Sequence, residues 1–326
     1  MSNIKIAFSS NEKFARHLAA FIASILSNSL DNESFDFYIL DGGITEQSQE
    51  KIRSLNSIKD FNVHFLKTDF EQLKDCPNNV IFTKNAYSRL LLDLVLPDVD
   101  RILYLDCDMI ATRSLGALWE SDLKGKSLGV VHDFSIDLDR FDNVLTVFLL
   151  ELTFKDIFNS GLLLMNLDKI RKEKTFRKTL EWVANHPSML QWADQNPLNV
   201  VFHNDFVFLD GMWNGSAQKK DHLNGEPMPA IIHYLKRVKP WHLEYDGLYE
   251  EQYEKYLSMT PWKGTPKSPQ SPVKMSFIRN AKRRLADWIA QKALPHSPWL
   301  QSLMDYRDSM EEQNKNLFNV IRKRVQ

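Results

Sequence analysis

The chain has 326 residues, which is enough for two average domains or for one large α/β domain with an extension. Hydrophobic residues make up 43% of it and charged residues 25%, as in a globular protein with a sizeable core. The net charge of −1 argues against nucleic acid as a partner. Two cysteines are too few for a disulfide framework, the first residues lack a signal-peptide pattern, and no apolar run approaches the ~20 residues of a membrane span. We therefore expect a reduced, cytoplasmic protein.

Short apolar runs alternate with helical patterns along most of the chain. In chain order the patterns predict a strand at Lys5–Phe8, a helix at Phe14–Leu26, a strand at Phe35–Leu40, a helix at Thr45–Ile58, a strand at Asn62–Leu66, a helix at Lys84–Leu96, and strands at Arg101–Leu105, Leu128–His132, Leu162–Met165 and Ile231–His233. Strands alternating with helices predict an α/β fold with a mostly parallel sheet. Ligands of such sheets bind beyond the carboxyl ends of the strands.

The composition changes after about residue 260. Four of the thirteen prolines fall within twelve positions, at Pro261, Pro266, Pro269 and Pro272, so that residues 261–273 are expected to form a linker or an extended surface strap. Residues 274–326 form a basic tail, with 11 Lys and Arg against 5 Asp and Glu and hence a net charge of +6. Its apolar residues recur at helical spacing, at Phe277, Ile278, Ala281, Leu285, Trp288 and Ile289. This tail is expected to bind an anionic membrane surface, or else to pack on the preceding domain or on a second copy of the chain.

The strand Arg101–Leu105 is followed by an Asp-x-Asp motif. Residues i and i+2 of an extended chain face the same side, so Asp106 and Asp108 can meet at one point while Cys107 turns away. Two carboxylates at a strand exit suit Mg²⁺ or Mn²⁺, although a solvated turn or a helix cap has the same spacing.

A second apolar run ends in His233, which is either a structural imidazole or a metal ligand. Lys236, Arg237 and Lys239 follow it, and such a cationic cluster can bind a polyanion such as a diphosphate. An imidazole beside two carboxylates shifts the preferred metal from Mg²⁺ towards Mn²⁺.

Three further segments have simple structural explanations when each is taken alone. Arg89 can form an ion pair with Asp93, four residues further along the predicted helix. Residues 158–161, Phe-Asn-Ser-Gly, can be an ordinary turn, and Trp192–Asn199 can be a helix cap followed by a proline in the first turn.

Together and in this order, these segments resemble glycosyltransferase family 8, the retaining hexosyltransferases that include glycogenin and the bacterial lipopolysaccharide galactosyl- and glucosyltransferases. The likeness is strongest to the lipopolysaccharide α-galactosyltransferase type and spans roughly residues 3–262. It also rests on Ser9-Ser10-Asn11, on Leu40–Ile44 and on Ala86–Leu90. The resemblance implies a Rossmann-like GT-A fold over residues 1–260, a UDP-hexose donor, and a glycan or lipid-linked glycan acceptor.

The resemblance also assigns residues to roles. Mn²⁺, with Mg²⁺ as the alternative, would be held by Asp106, Asp108 and His233. The donor would be bound by Ser9, Ser10, Asn11, Phe14, Arg89, Asp106, Cys107, Asn159, Asp194, Lys236 and Lys239. Asp133 and Gln195 would be catalytic, with Gln195 on the side of the anomeric carbon opposite the leaving group. Because an amide is a poor nucleophile, the acceptor hydroxyl is expected to attack from the face that the nucleotide leaves.

Two other functions remain open from the sequence. An inactive binding module is suggested by Lys236, which stands where the family has glycine, and by Asn11 and Lys13, which stand where Asp and Asn are frequent. A phosphatase of the haloacid dehalogenase type also uses Asp-x-Asp after an apolar strand. That motif is normally at the first strand and is followed by Gly-Thr, whereas here it follows the fourth and precedes Met109-Ile110.

Overall fold

A computed structural model describes residues 2–67, 70–77, 84–133, 135, 136, 143, 146, 147, 149–218 and 227–270. The chain divides into two compact units, one of Met1–Val131 with Asn159–Gln270 and the other of His132–Phe158 with Ser271–Gln326. The basic tail predicted at residues 274–326 lies outside the described residues. Within the described ranges, no helix has both the length and the apolar character needed to cross a membrane.

Ten strands form two sheets in the part of the chain that the structure describes. They are β1 (Ser2–Ser10), β2 (Glu33–Asp41), β3 (Asn62–Lys67), β4 (Arg101–Leu105), β5 (Met109–Ala111), β6 (Leu128–His132), β7 (Phe158–Asn166), β8 (Phe206–Phe208), β9 (Gly215–Ser216) and β10 (Ile231–His233). The large sheet has the order β3-β2-β1-β4-β7-β6-β8, and the small sheet has the order β5-β10-β9. In the large sheet, β4 and β7 pair antiparallel, whereas β1 pairs parallel with both β2 and β4, β2 with β3, and β6 with β8. The predicted α/β fold with a mostly parallel sheet is thereby confirmed.

The helices follow most of the predicted patterns. The α-helices are Ala15–Ser27, Glu46–Arg53, Leu92–Val95, Gly116–Trp119, Leu167–Glu173, Thr175–Asn185, Gln195–Val201 and Glu250–Leu257. The 3₁₀ helices are Ser54–Ser57, Phe70–Leu73, Lys84–Leu91, Phe154–Asp156, Pro187–Met189 and Gly211–Asn214. Thr45 caps the second helix, because its side chain accepts a hydrogen bond from the backbone N–H of Ser48 at 3.3 Å.

The helix predicted over Lys84–Leu96 is present, but most of it is of the 3₁₀ type. Lys84–Leu91 is a 3₁₀ helix, and only Leu92–Val95 is α-helical. The carbonyl of Asn85 accepts hydrogen bonds from the hydroxyls of Ser9 and Ser88 at 2.8 and 2.7 Å. These side chains compete with backbone bonding of the α-helical kind. The tighter 3₁₀ turn repeats every three residues and so changes which side chains share a face.

The core lies between the large sheet and the first helix. Eleven of the thirteen residues of Ala15–Ser27 are buried, so this helix is covered nearly all round. Phe8 of β1 packs against Phe21 of the helix and Phe37 of β2, with ring centroids 5.7 and 5.8 Å apart. This packing fixes the carboxyl end of β1, where Ser9 and Ser10 lie.

Hydrogen bonds and ion pairs hold residues 261–270 against the rest of the first unit. The backbone N–H groups of Leu243 and Ser268 donate to the carbonyls of Ser268 and Trp241 at 3.1 and 3.2 Å. Lys267 forms ion pairs with Glu250 and Glu254. The first unit accordingly extends to Gln270.

Candidate active site

The link between β4 and β5 crosses from the large sheet to the small one and has the sequence Asp106-Cys107-Asp108. At its start, the backbone N–H of Asp106 donates to the carbonyl of Gly161 in β7 at 2.9 Å. At its end, Met109 pairs with His233 of β10, and the N–H of Tyr234 donates to the carbonyl of Asp108 at 3.0 Å. The strand registers therefore bring two carboxylates and one imidazole to the same place.

Asp106, Asp108 and His233 form a cluster of metal-ligand type. Each offers a ligand atom, and these atoms all lie within 4.8 Å of one another. Glycine at position 161 allows the close approach, because a Cβ there would lie 2.5 Å from Cε1 of His233 and 3.0 Å from Oδ2 of Asp106. Two carboxylate oxygens and one imidazole nitrogen at this spacing fit a divalent transition-metal ion.

Asp108 lies between the ammonium of Lys239 and the imidazole of His233. Its Oδ2 is 2.6 Å from Nζ of Lys239, and its Oδ1 is 3.3 Å from Nε2 of His233. Burial alone would raise the pKa of Asp108, but Lys239 and His233 hold it well below its usual value. Asp108 is thus ionised at neutral pH, as a metal ligand must be.

Arg89 forms ion pairs with both Asp106 and Asp194 and so connects the metal-ligand cluster to the segment around Asp194. It is 4% exposed; its Nη2 lies 2.9 Å from Oδ1 of Asp106, and its Nε lies 3.1 Å from Oδ2 of Asp194. Its guanidinium also stacks on the ring of Tyr104, 4.1 Å from the centroid. Burial opposes the charge, yet Asp194, Tyr104 and Asp106 raise the pKa of Arg89 further.

The interpretation of Arg89 as the ion-pair partner of Asp93 is therefore wrong. A spacing of four residues suits an α-helix, whereas Arg89 lies in a 3₁₀ helix and pairs with carboxylates distant in sequence. Two carboxylates share one guanidinium, and burial raises the pKa of Asp194 to about 6 although Arg89 lowers it.

Gln195 is the first residue of its helix and is buried beside β7. Its Oε1 accepts hydrogen bonds from the backbone N–H of Ser160 at 3.2 Å and from Nδ2 of Asn159 at 3.3 Å. Asn159 is held in turn, because its Oδ1 accepts from the N–H of Gly161 at 3.0 Å. The Phe-Asn-Ser-Gly segment is therefore part of a strand that binds Gln195, and the interpretation as an ordinary turn is wrong.

The exit of β1 contributes Ser9, Ser10, Asn11 and Phe14 to the same site. Oγ of Ser9 lies 2.7 Å from Oγ of Ser88, and both hydroxyls are within bonding distance of the carbonyl of Asn85. The side-chain oxygen of Asn11 accepts from the backbone N–H groups of Lys13 and Phe14 at 3.1 and 3.3 Å. Phe14 is 36% exposed, and its ring lies 6.1 Å from that of Trp241 in an edge-to-face arrangement.

One cavity of about 320 Å³ collects most of the predicted residues. Its lining includes Ser9, Ser10, Asn11, Phe14, Arg89, Asp106, Cys107, Asp108, Asn159, Asp194, Gln195 and His233. The thiol of Cys107 does not join the two carboxylates, as the alternation along the strand predicts, and donates instead to the carbonyl of Ser9 at 3.1 Å. Burial raises the pKa of this thiol, which keeps it protonated.

Three predicted residues are not among those that line this cavity: Lys239, which pairs with Asp108, and Lys236 and Asp133. Lys236 is exposed and lines a neighbouring cavity of about 190 Å³ together with Tyr234 and Tyr245. Asp133 belongs to the second unit, where its Oδ1 accepts from the backbone N–H and hydroxyl of Ser135 at 2.9 and 2.6 Å. The roles given to these residues and to those of the cavity all stay predictions.

Asn214 belongs to the site but was not identified from the sequence. Its Oδ1 lies 2.8 Å from Nδ1 of His233, and its Nδ2 donates to Oδ1 of Asn159 at 3.0 Å. It ends a 3₁₀ helix just before the two-residue strand β9, which pairs with β10. A strand of two residues has no periodicity, so the neighbourhood of Asn214 and His233 leaves no signal in the sequence.

Residues 5–244 match the family model described as glycosyl transferase family 8. General stress protein A of Bacillus subtilis is 24% identical over 77% of this chain and 92% of its own length. A lipopolysaccharide 1,2-glucosyltransferase of Escherichia coli is 25% identical over 80% of both chains. The crystal structure of the galactosyltransferase LgtC in complex with donor and acceptor sugar analogs has a TM-score of 0.69 at 25% identity, and covers 79% of this chain and 96% of that one. This likeness confirms the predicted GT-A type fold.

Proposed function

This chain belongs to glycosyltransferase family 8, and on that premise we propose that it is a retaining hexosyltransferase that moves galactose or glucose from a UDP-sugar to a glycan. The observation that carries the proposal is the convergence of Asp106, Asp108 and His233 in a cavity that also holds Arg89 and Gln195. Membership of the family sets aside the phosphatase interpretation of the Asp-x-Asp motif.

The metal-ligand cluster and Lys239 would act on the diphosphate of the donor. Asp106, Asp108 and His233 would hold the ion, and Mn²⁺ is preferred over Mg²⁺ because one of the three ligands is an imidazole. When bound, such an ion neutralises charge that develops on the departing nucleoside diphosphate. Lys239, whose ammonium pairs with Asp108 at 2.6 Å, would donate a charge-assisted hydrogen bond to a donor phosphate.

Gln195 would act at the anomeric carbon. Two donors hold its Oε1, so the partial negative charge of the amide oxygen has a fixed position. The acceptor hydroxyl would form the new C–O bond on the face from which UDP leaves, and its proton would pass to the leaving phosphate oxygen. Gln195 would stabilise the positive charge of the oxocarbenium-like transition state and form no bond to the sugar.

The acceptor would be a bacterial surface glycan such as lipopolysaccharide. Similarity to a lipopolysaccharide 1,2-glucosyltransferase supports this choice. The basic composition of residues 274–326 supports a lipid-linked acceptor, because a tail on the anionic inner face of the plasma membrane would keep a cytoplasmic enzyme and its acceptor in one plane.

Sedimentation with anionic liposomes tests the membrane part of the proposal. The full chain should pellet with vesicles at low salt and be released at high salt, because each basic residue near the surface contributes about 1 kcal/mol. Changing Lys282, Arg283 and Arg284 together to Gln should weaken this binding. Equal pelleting of both proteins, or indifference to salt, would contradict an electrostatic anchor.

A mass-spectrometric screen of UDP-sugars tests the proposed activity. We expect slow release of UDP from UDP-galactose or UDP-glucose in Mn²⁺, faster release with acceptor present, and none in EDTA. UDP release that persists in EDTA would contradict the metal-dependent reaction. Metal-dependent binding of UDP-sugars without any release would instead favour the inactive binding module.

A further inference from the structure

A chain of side-chain amides connects the imidazole of the metal-ligand cluster to Gln195. The chain runs from Nδ1 of His233 to Asn214 at 2.8 Å, from Asn214 to Asn159 at 3.0 Å, and from Asn159 to Gln195 at 3.3 Å. His233, Asn159 and Gln195 are each less than 10% exposed. The four side chains come from β10, the 3₁₀ helix Gly211–Asn214, β7 and the helix Gln195–Val201.

Two backbone N–H groups fix the direction of every hydrogen bond in this chain. The N–H of Gly161 donates to Asn159 at 3.0 Å, so the atom it reaches must be the amide oxygen. The same oxygen accepts from Asn214, whose atom there must be Nδ2. The remaining atom of Asn214 is then Oδ1, an acceptor, and Nδ1 of His233 must carry the proton that bonds to it.

The same reasoning applies at the other end. The N–H of Ser160 donates to Oε1 of Gln195 at 3.2 Å, which leaves Nδ2 of Asn159 as the second donor to that oxygen. Adjacent residues of β7 therefore set both the protonated nitrogen of His233 and the orientation of the Gln195 amide. Among the hydrogen bonds of the described residues, Asn214 is the one of these four side chains that bonds to Nδ1 of His233. The other ring nitrogen, Nε2, faces Asp108.

We propose that Asn214 is a positioning residue with two separable functions. Its Oδ1 holds the proton of His233 on Nδ1 and thereby leaves the lone pair of Nε2 for a metal ion. Its Nδ2 holds Asn159, which in turn holds Oε1 of Gln195 where the sugar reacts. This inference rests on the proposed function, because it assigns Asn214 to the metal ligand and to the glutamine of that same site.

Two substitutions separate these functions. Asn214→Leu removes both hydrogen bonds and should weaken Mn²⁺ binding about 10- to 100-fold, as loss of such a supporting contact does in other metal sites. Asn214→Asp keeps an acceptor for the proton of His233 but has no donor for Asn159. It should therefore keep Mn²⁺ affinity within a few-fold of the original protein while kcat falls at least about tenfold. Asn214→Ala removes the same atoms without added bulk and replaces the Leu variant if that variant does not fold.

Mn²⁺ binding is measured by electron paramagnetic resonance on the full chain without donor, and kcat is measured in saturating Mn²⁺. Asn28→Asp is the matched control, because its Nδ2 donates to the carbonyl of Ala111 and the hydroxyl of Tyr256, and Mn²⁺ affinity should not change. Unchanged Mn²⁺ affinity in a folded Asn214→Leu or Asn214→Ala variant would overturn the inference. So would an Asn214→Asp variant that loses Mn²⁺ affinity as the Leu variant does. If the original protein neither binds Mn²⁺ nor releases UDP, the proposed function itself fails, and the two failures are thus distinct.

Discussion

Gly161→Ala should disable the site without unfolding the protein. The new Cβ would lie 2.5 Å from Cε1 of His233, whereas ordinary contact begins at 3.4 Å, so that the ring or the strand must move by about 1 Å. The same Cβ would lie 2.9 Å from Oδ1 of Asn159 and 3.0 Å from Oδ2 of Asp106. The ring of His233 has little freedom to yield, because it is 3% exposed and bonded to Asn214.

The expected effect on function is larger than the effect on stability. Added bulk in a packed region costs about 1–3 kcal/mol, which most folded proteins of this size tolerate. A displacement of about 1 Å at reacting groups costs about 10²-fold in rate. Mn²⁺ affinity and the rate of UDP release should therefore both fall, whereas thermal unfolding should remain cooperative.

Gly211→Ala serves as the matched control for this substitution. Gly211 begins the helix that carries Asn214, but a Cβ there would meet nothing within 4 Å. This variant should bind Mn²⁺ and release UDP like the original protein. If folded Gly161→Ala retained normal Mn²⁺ affinity and a normal rate, the close packing of β7 against the metal ligands would have no functional role.

Three further predictions concern Gln195, Lys239 and the two cysteines. Gln195→Ala should lower turnover about 10- to 10³-fold while the product keeps the α configuration of the donor, as judged by the anomeric coupling in proton NMR; a β-linked product or a sugar adduct on Gln195 would contradict the mechanism. Lys239→Met should tighten Mn²⁺ binding in the absence of donor, because the ammonium no longer competes for Asp108, and should raise KM for the donor about tenfold or more. Weaker Mn²⁺ binding in that variant would mean that Lys239 supports the site rather than competing with the ion. Iodoacetamide at pH 8 should modify neither cysteine of the folded protein, because both are buried and burial raises the pKa of Cys76 to about 12 and that of Cys107 as well. Rapid labelling of Cys107, detected by mass spectrometry, would mean that its thiol is accessible and ionised, contrary to this prediction.

The positions of the strand-exit residues could be predicted from the sequence because they depend on local periodicity. Asp106 and Asp108 meet beside His233, as residues at i and i+2 of an extended chain should, whereas the thiol of Cys107 between them bonds to the carbonyl of Ser9. His233 ends an apolar run in the same way. The pairing of β5 with β10 brings it to the carboxylates, and the resemblance to a family was needed to expect His233 as their partner.

Local periodicity could not predict which distant segments contact each other. Arg89 and Asp194 are separated by 105 residues, and their ion pair forms because both are buried at the same cavity. The 3₁₀ helix that carries Arg89 depends on hydroxyls of Ser9 and Ser88 that bond to the carbonyl of Asn85. The pairing of β9 with β10 positions Asn214, and a strand of two residues has no sequence pattern from which that pairing could be predicted.

The most direct test of the central claim is the rate of hexosyl transfer by Asp108→Asn in saturating Mn²⁺. Asp36→Asn is the control, since Asp36 lies in the first half of β2 and accepts from the amides of Asn3 and Asn62 at 2.7 Å each. Loss of one charged ligand should cost several kcal/mol of transition-state stabilisation, so Asp108→Asn should be slower by about 10²-fold or more, and the control should be unchanged. Near-normal transfer by folded Asp108→Asn would contradict the assignment of Asp106, Asp108 and His233 as the metal site of a glycosyltransferase.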